Sequence, residues 1–238
     1  MSETQGQRER RSSTVAAFVG ATGGAGTTRT VIEVAAALAA DGRDVAVLDA
    51  AFATQGLAGY VAGRIDPDVT TLLVDADDAA DLRAGLYGFG AGDVPGEVVV
   101  CPAYAPFTRL ARAKSTAAAE RFESLIRTAA GRFDHVLVDV PPIAANQAVA
   151  AVTAADTVAV VAPASDRGAE GIQRCHERLA DVGSGASLVV STRGELETAD
   201  VGVPVTDADG VAAAPACLDG GGFGAAIERV AAAVTGRE

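Results

Sequence analysis

Lysine is almost absent from this chain. Lys114 is the only one in 238 residues, and nearly all positive charge is carried by arginine. Acids outnumber bases, 31 Asp and Glu against 19 Lys and Arg, for a net charge of −12. A dispersed acidic surface of this kind repels nucleic acid and anionic membranes, so strong binding to either is not expected. With the abundance of Asp, Ala and Val, it reads as a salt-adapted protein from a GC-rich, halophilic archaeal proteome, the alternative being a dedicated acidic surface for a partner. Tryptophan is missing and aromatics make up 4% of the chain, so the core has to be assembled from small, closely spaced aliphatic side chains. The three cysteines, Cys101, Cys175 and Cys217, are far apart, with no CxxC and no Cys/His ligand spacing. That argues against a disulfide framework or a zinc-type site and suits buried thiols in a reducing cytoplasm. His135 and His176 stand alone and read as packing or surface residues. No apolar run is long enough to cross a membrane, and the first residues lack the apolar stretch of a signal peptide.

What the chain does have is an alternation of short apolar runs and helical stretches, with 49% hydrophobic residues. This is the pattern of an α/β fold: a doubly wound, mostly parallel sheet with helices on both faces. Strands are expected at Val15–Val19, Asp44–Leu48, Val98–Cys101, His135–Val140, Thr157–Ala162 and Ser187–Ser191. Helices are expected at Thr28–Asp41, Thr108–Gly131, Arg167–Val182 and Gly224–Thr235. Residues 1–13 are polar and arginine-rich and read as a disordered lead-in to a single domain spanning 14–238. Between Gly59 and Gly96 the pattern is poor; Asp75-Ala76-Asp77-Asp78 and the Gly88–Gly92 stretch read as short helices and mobile loops.

The chemistry concentrates in Gly20-Ala21-Thr22-Gly23-Gly24-Ala25-Gly26-Thr27-Thr28. It follows an apolar strand and opens a helix, the context in which a glycine loop turns backbone N–H groups toward one anion. Gly23, Gly24, Ala25, Gly26, Thr27 and Thr28 are the candidate phosphate-binding residues. In a working loop Thr27 would be lysine, reaching the β- and γ-phosphates, and Thr28 would place its hydroxyl on Mg²⁺. In sheets of this kind ligands sit at the carboxyl ends of strands. Asp49 ends one apolar run and Asp139 another, so Thr28, Asp49 and Asp139 are the candidate metal-side residues.

Four stretches in order resemble the MinD/ParA family of deviant P-loop ATPases, over about Thr14 to Gly236. The family's K-G-G-x-G-K-T-T loop matches Thr22-Gly23-Gly24-Ala25-Gly26-Thr27-Thr28-Arg29. Its strand ending in D-x-D matches Val47-Leu48-Asp49-Ala50-Ala51. Its D-x-P-P strand matches the run ending Asp139-Val140-Pro141-Pro142, and its A-D-x-V-x-V-V-x-P strand matches Ala155 to Pro163. The departures are specific. The signature lysine that reaches a partner's nucleotide is Thr22, the phosphate lysine is Thr27, the water-side acid is Ala51, and the base-recognising asparagine falls on Ser191.

The resemblance implies an ATP and Mg²⁺ site, with nucleotide held between subunits to drive homodimerisation. Phosphoryl transfer is positioning plus electrostatic stabilisation, so losing two lysines and the water-side acid leads us to expect weak or absent nucleotide binding and no turnover. Arg29, about 100° further round the helix, is expected to point away from the phosphates; Arg109, Arg112 or Arg167, or an arginine from a partner, could substitute. The family suggests a pseudo-ATPase that regulates or scaffolds division-site placement, cell shape, polarity or motility positioning. Its partners would be proteins of that machinery or a MinD/ParA paralogue. The alternatives are an active divergent ATPase and a nucleotide-independent subunit of an active paralogue. The last stretch places Ile227, Val230, Ala231 and Val234 on one small apolar face, which reads as packing on the sheet and not as an autonomous membrane anchor.

Overall fold

Near-continuous apolar runs cannot leave a face in water, so the strands they form have to be covered on both sides. The computed structural model, which describes residues 13–75, 81–208 and 210–236, shows this arrangement. Eight strands form one sheet: β1 (Thr14–Gly20), β2 (Val45–Asp49), β3 (Tyr87–Gly88), β4 (Val98–Cys101), β5 (His135–Val140), β6 (Thr157–Pro163), β7 (Leu188–Thr192) and β8 (Val201–Val203). Their spatial order is β3-β4-β2-β5-β1-β6-β7-β8, and every pairing is parallel except the short β3–β4 edge. Strand β1 lies between β5 and β6, so the loop that follows it opens at the middle of the sheet's carboxyl end.

The pleat sends alternate residues to opposite faces. Val15, Ala17 and Val19 of β1 join the core on one side, with Phe122 and Ile126 of α4 (Thr116–Ala130), Ala148 and Ala151 of α5 (Asn146–Thr153), and Ile172 and Leu179 of α6 (Asp166–Asp181). Ala16 and Phe18 face the other side, against α1 (Thr27–Ala40) and α7 (Gly221–Thr235). Two of the few large side chains, Phe52 and Phe122, pack edge to face with ring centroids 6.0 Å apart. Small residues elsewhere let helices approach closely. A Cβ on Gly168 would sit 1.9 Å from the Pro163 carbonyl oxygen, so α6 can start where it does only from a glycine.

The expected elements appear with boundaries shifted by at most one residue at most ends, with three differences. The helix expected over Thr108–Gly131 is two, α3 (Phe107–Ala113) and α4. Ser115 turns extended and accepts a hydrogen bond from the Ala118 N–H (3.3 Å), capping α4, while the Asn146 side chain donates to the Lys114 carbonyl (3.0 Å). One short helix, α5, and two short strands, β3 and β8, lie outside the expected elements, whereas α2 (Val69–Val74) falls just before Asp75 in the stretch where short helices were expected. The final helix starts three residues earlier than expected, at Gly221, and its stripe of Ile227, Val230, Ala231 and Val234 is buried. Burying each of its larger members contributes about 1.5–3 kcal/mol. Cys101, Cys175 and Cys217 are free and buried, and burial raises each thiol well above its ordinary pKa. The lead-in at residues 1–12 and the acidic segment at 76–80 lie outside the described residues. Among the described residues no helix is long and apolar enough to cross a membrane.

Candidate functional site

The loop after β1 has the geometry that its glycines foretell. Gly24 (φ 74°) and Gly26 (φ 86°) both lie in the left-handed region, where a side chain is strained. Gly26 is the residue before α1, and no side chain caps that helix, so its first N–H groups are left facing the cavity side. The loop is pinned from outside. Thr192 at the end of β7 donates from its hydroxyl to the Ala25 carbonyl (2.7 Å). Behind it, Gly171 of α6 comes so close that an added Cβ would lie 2.7 Å from the Thr22 methyl. A cavity of about 410 Å³ opens over the loop, and Gly23, Gly24, Ala25, Gly26, Thr27 and Thr28 all line it.

Parallel register brings the two candidate aspartates together: Asp49 of β2 pairs directly with Asp139 of β5, next to β1. Asp139 is 1% exposed and accepts the Thr28 hydroxyl at 2.6 Å, so the loop threonine and the strand aspartate form one hydroxyl–carboxylate pair at the cavity floor. Asp49 is fully buried and accepts the Ala51 N–H (2.7 Å) and the Ala103 N–H (3.0 Å), one on each oxygen. Asp49 therefore fixes the chain leaving β2 and β4, while Asp139 is the carboxylate that lines the cavity. Burial raises both carboxyls above the ordinary range, and the nearby Asp139 charge raises Asp49 further. A cation at Thr28 and Asp139 would relieve that cost. Among the described residues no group of three or more His, Cys, Asp or Glu could hold a metal by itself, so a metal here would need ligand oxygens, such as phosphates, to complete its shell.

Positive charge is distributed differently from the expectation. Thr22, at the signature-lysine position, is buried with its methyl against Gly171. Thr27 and Ala51 line the cavity where the family has a lysine and an acid. Arg29 lies at the rim, but its guanidinium is engaged elsewhere. It donates to Glu33, to the Gly210 carbonyl (2.8 Å) and to the Ala208 carbonyl (3.1 Å). Arg109 and Arg112 are tied to Asp68 and Asp75 around α2, and Arg109, Arg112 and Arg167 are not among the cavity's lining residues. The arginine that does reach the loop is Arg193, just past β7, whose Nη1 donates to the Gly24 carbonyl at 3.3 Å. Sequence reasoning missed it, although its place at the carboxyl end of a strand two positions from β1 was a usable signal.

Ser191 is corrected by the same geometry. It is fully buried and its hydroxyl donates to the Gly194 carbonyl (2.8 Å), so it shapes the turn and does not face a ligand. Thr192 and Arg193 line the second cavity, also about 410 Å³, with Tyr60, Val203, Val211 and Phe223. This cleft shares Gly26, Arg29, Tyr60, Arg193 and Val211 with the first. The glycine cradle thus continues into a cleft that mixes apolar side chains with Arg29, Glu33 and Thr206, so a phosphate chain at the loop would have room for a flat ring beside Tyr60, Val211 and Phe223. If a Mg²⁺–nucleotide bound, Thr28 and Asp139 would stand at the metal, which would neutralise phosphate charge.

A glycine cradle at the middle of a parallel sheet, with a hydroxyl–carboxylate pair on its floor, defines a P-loop nucleotide-binding fold. The chain belongs to the AAA-domain family, whose model matches residues 13–186, and its fold is of the MinD/ParA type. The MinC:MinD cell division complex of Aquifex aeolicus contains a chain 19% identical, with TM-score 0.75, covering 95% of this chain and 97% of that one. The cell division ATPase MinD of Pyrococcus furiosus is 16% identical, TM-score 0.71, over 93% and 98%. Cobyrinic acid a,c-diamide synthase of Mycobacterium smegmatis, with bound ADP and magnesium, is 19% identical, TM-score 0.68, over 92% of each chain. No curated protein matches the sequence.

Proposed function

We propose that this chain is a non-hydrolysing MinD/ParA-type protein that acts as a regulator or scaffold in cellular spatial organisation, such as division-site placement, cell shape, polarity or motility positioning. The observation that carries the reading is the lining of the glycine-loop cavity. Its geometry is that of a phosphate cradle, yet Thr27 and Ala51 stand where phosphoryl transfer needs a cation and a water-side acid. The role in positioning draws on the shared fold with MinD and ParA relatives, one of which is seen in complex with MinC. The partner is accordingly a protein of such machinery or a MinD/ParA paralogue, met through the surface and without a hydrolysis cycle.

The test is imaging in the native host. If surface and fold carry the function, Thr27→Lys leaves localisation and cell morphology as in wild type, whereas a deletion changes them. A Thr27→Lys strain with gained or lost localisation would favour a nucleotide-responsive switch.

A further inference from the structure

We propose that Arg193 is the phosphate-neutralising cation of this site, supplied from the end of β7 in place of the lysine that the glycine loop lacks. The inference rests on the reading of residues 20–26 as a phosphate cradle and names the residue that gives it charge. Three features of Arg193 separate it from the other arginines.

First, although it shares the junction of the two cavities with Arg29, it alone of the two donates to the loop itself, through the Gly24 carbonyl. Second, no carboxylate among the described residues forms an ion pair with it, whereas Arg29, the other arginine at the rim, is tied to Glu33. Its guanidinium is exposed and makes that single hydrogen bond, so most of its donors remain available. Third, its backbone is held at φ 61°, a conformation that glycine adopts freely and arginine does not. The preceding residue anchors it: Thr192 bonds the Ala25 carbonyl and packs 3.6 Å from where a Cβ on Gly26 would lie. Loop and arginine therefore meet at a fixed hinge.

A guanidinium can hold two phosphate oxygens at once, where an ammonium acts as a point charge. The ligand class is a nucleoside polyphosphate, and inorganic tripolyphosphate shares the chemistry that Arg193 reads. Placed at the loop's edge and not at the first turn of α1, Arg193 supplies affinity without restoring the position from which a loop lysine acts.

The experiment is calorimetry on the full chain with Mg²⁺–ATP and with Mg²⁺–tripolyphosphate, in low and molar KCl, alongside melting curves without ligand. Wild type is expected to bind ATP, and Arg193→Ala and Arg193→Gly to raise the dissociation constant about tenfold or more. Arg193→Gly should at the same time raise the ligand-free melting temperature, because it relieves the φ of 61°; a merely structural arginine would lower it. Thr27→Lys added to Arg193→Ala should recover binding. Equal loss for ATP and tripolyphosphate is expected. Loss for ATP alone would overturn the proposal by placing Arg193 on the base or sugar. Unchanged affinity in Arg193→Ala, or no binding by wild type at millimolar ATP, would also overturn it. Phosphate release abolished by Asp139→Ala would defeat the non-hydrolysing reading above while leaving an Arg193-dependent affinity standing.

Discussion

The loops after β1 and β7 meet at one cavity and contribute opposite things. The first holds the geometry of a phosphate site, with Gly24 and Gly26 in left-handed conformations and Thr28 bonded to Asp139, but brings no charge of its own. The second has no glycine cradle, yet it brings Thr192 to brace the loop and Arg193 to face it. The contrast shows that backbone geometry can persist where side-chain chemistry has changed, because different neighbours enforce each. Tight turns and helix packing require the glycines whether or not an anion binds.

The largest effect should come from the residue that takes Arg29 out of the phosphate site. Glu33 is fully buried, pairs with Arg29, and accepts the N–H groups of Ala216 and Cys217 at 2.9 and 2.8 Å. Glu33→Ala would leave these donors and a half-buried guanidinium uncompensated, at a cost of about 3–5 kcal/mol, measurable by urea denaturation. A loss under about 1 kcal/mol would mean that the turn at Ala216 and Cys217 does not depend on this pair.

A smaller cost tests why Thr22 is not a lysine. Gly171→Ala should lose about 1–3 kcal/mol, because the new methyl meets the Thr22 methyl. Adding Thr22→Ser, which removes that methyl, should recover part of the loss, and a double-mutant cycle measures the coupling. Strict additivity would contradict the close packing of α6 on the loop.

Smaller again is the pH dependence of the carboxylate pair. Both Asp49 and Asp139 are raised above the unfolded value of 3.8, so the folded chain binds more protons than the unfolded one between about pH 4 and pH 8. The contribution of the pair to stability therefore falls as pH rises through that window, and is best at its acid end. In Mg²⁺-free buffer, the stability of Asp139→Asn relative to wild type should grow from pH 5 to pH 8. A difference that shrinks over that range would mean the pair is stabilised in its charged form.

The sheet was legible because its central strands are buried on both faces and so read as apolar runs. Asp49 and Asp139 were singled out by the rule that ligand-facing residues end such strands; the β2–β5 register sets them opposite each other, but only Asp139 lines the cavity, while Asp49 turns to the Ala51 and Ala103 N–H groups. What escaped was short or uniform. Asn146–Thr153 is mostly alanine and valine, with too little polar contrast to show a period, and β3 has only two residues. The break at Ser115 was readable as a cap before Thr116, but the flanking alanines carried the pattern through it. Arg193 escapes because the apolar pattern ends β7 at Ser191, one residue short of Thr192, and no local signal announces that an arginine will adopt a left-handed turn. The placement of charge at this site is tertiary information: Arg29 and Arg193 look alike in sequence and differ only in what surrounds them.

The most direct measurement is phosphate release from Mg²⁺–ATP in molar KCl, wild type beside Asp139→Ala. If the site is non-hydrolysing, as proposed, the two proteins show equal, background rates, because Thr27 and Ala51 stand where phosphoryl transfer needs a cation and a water-side acid. Release by wild type that Asp139→Ala abolishes would contradict it, because no contaminating ATPase could respond to that substitution.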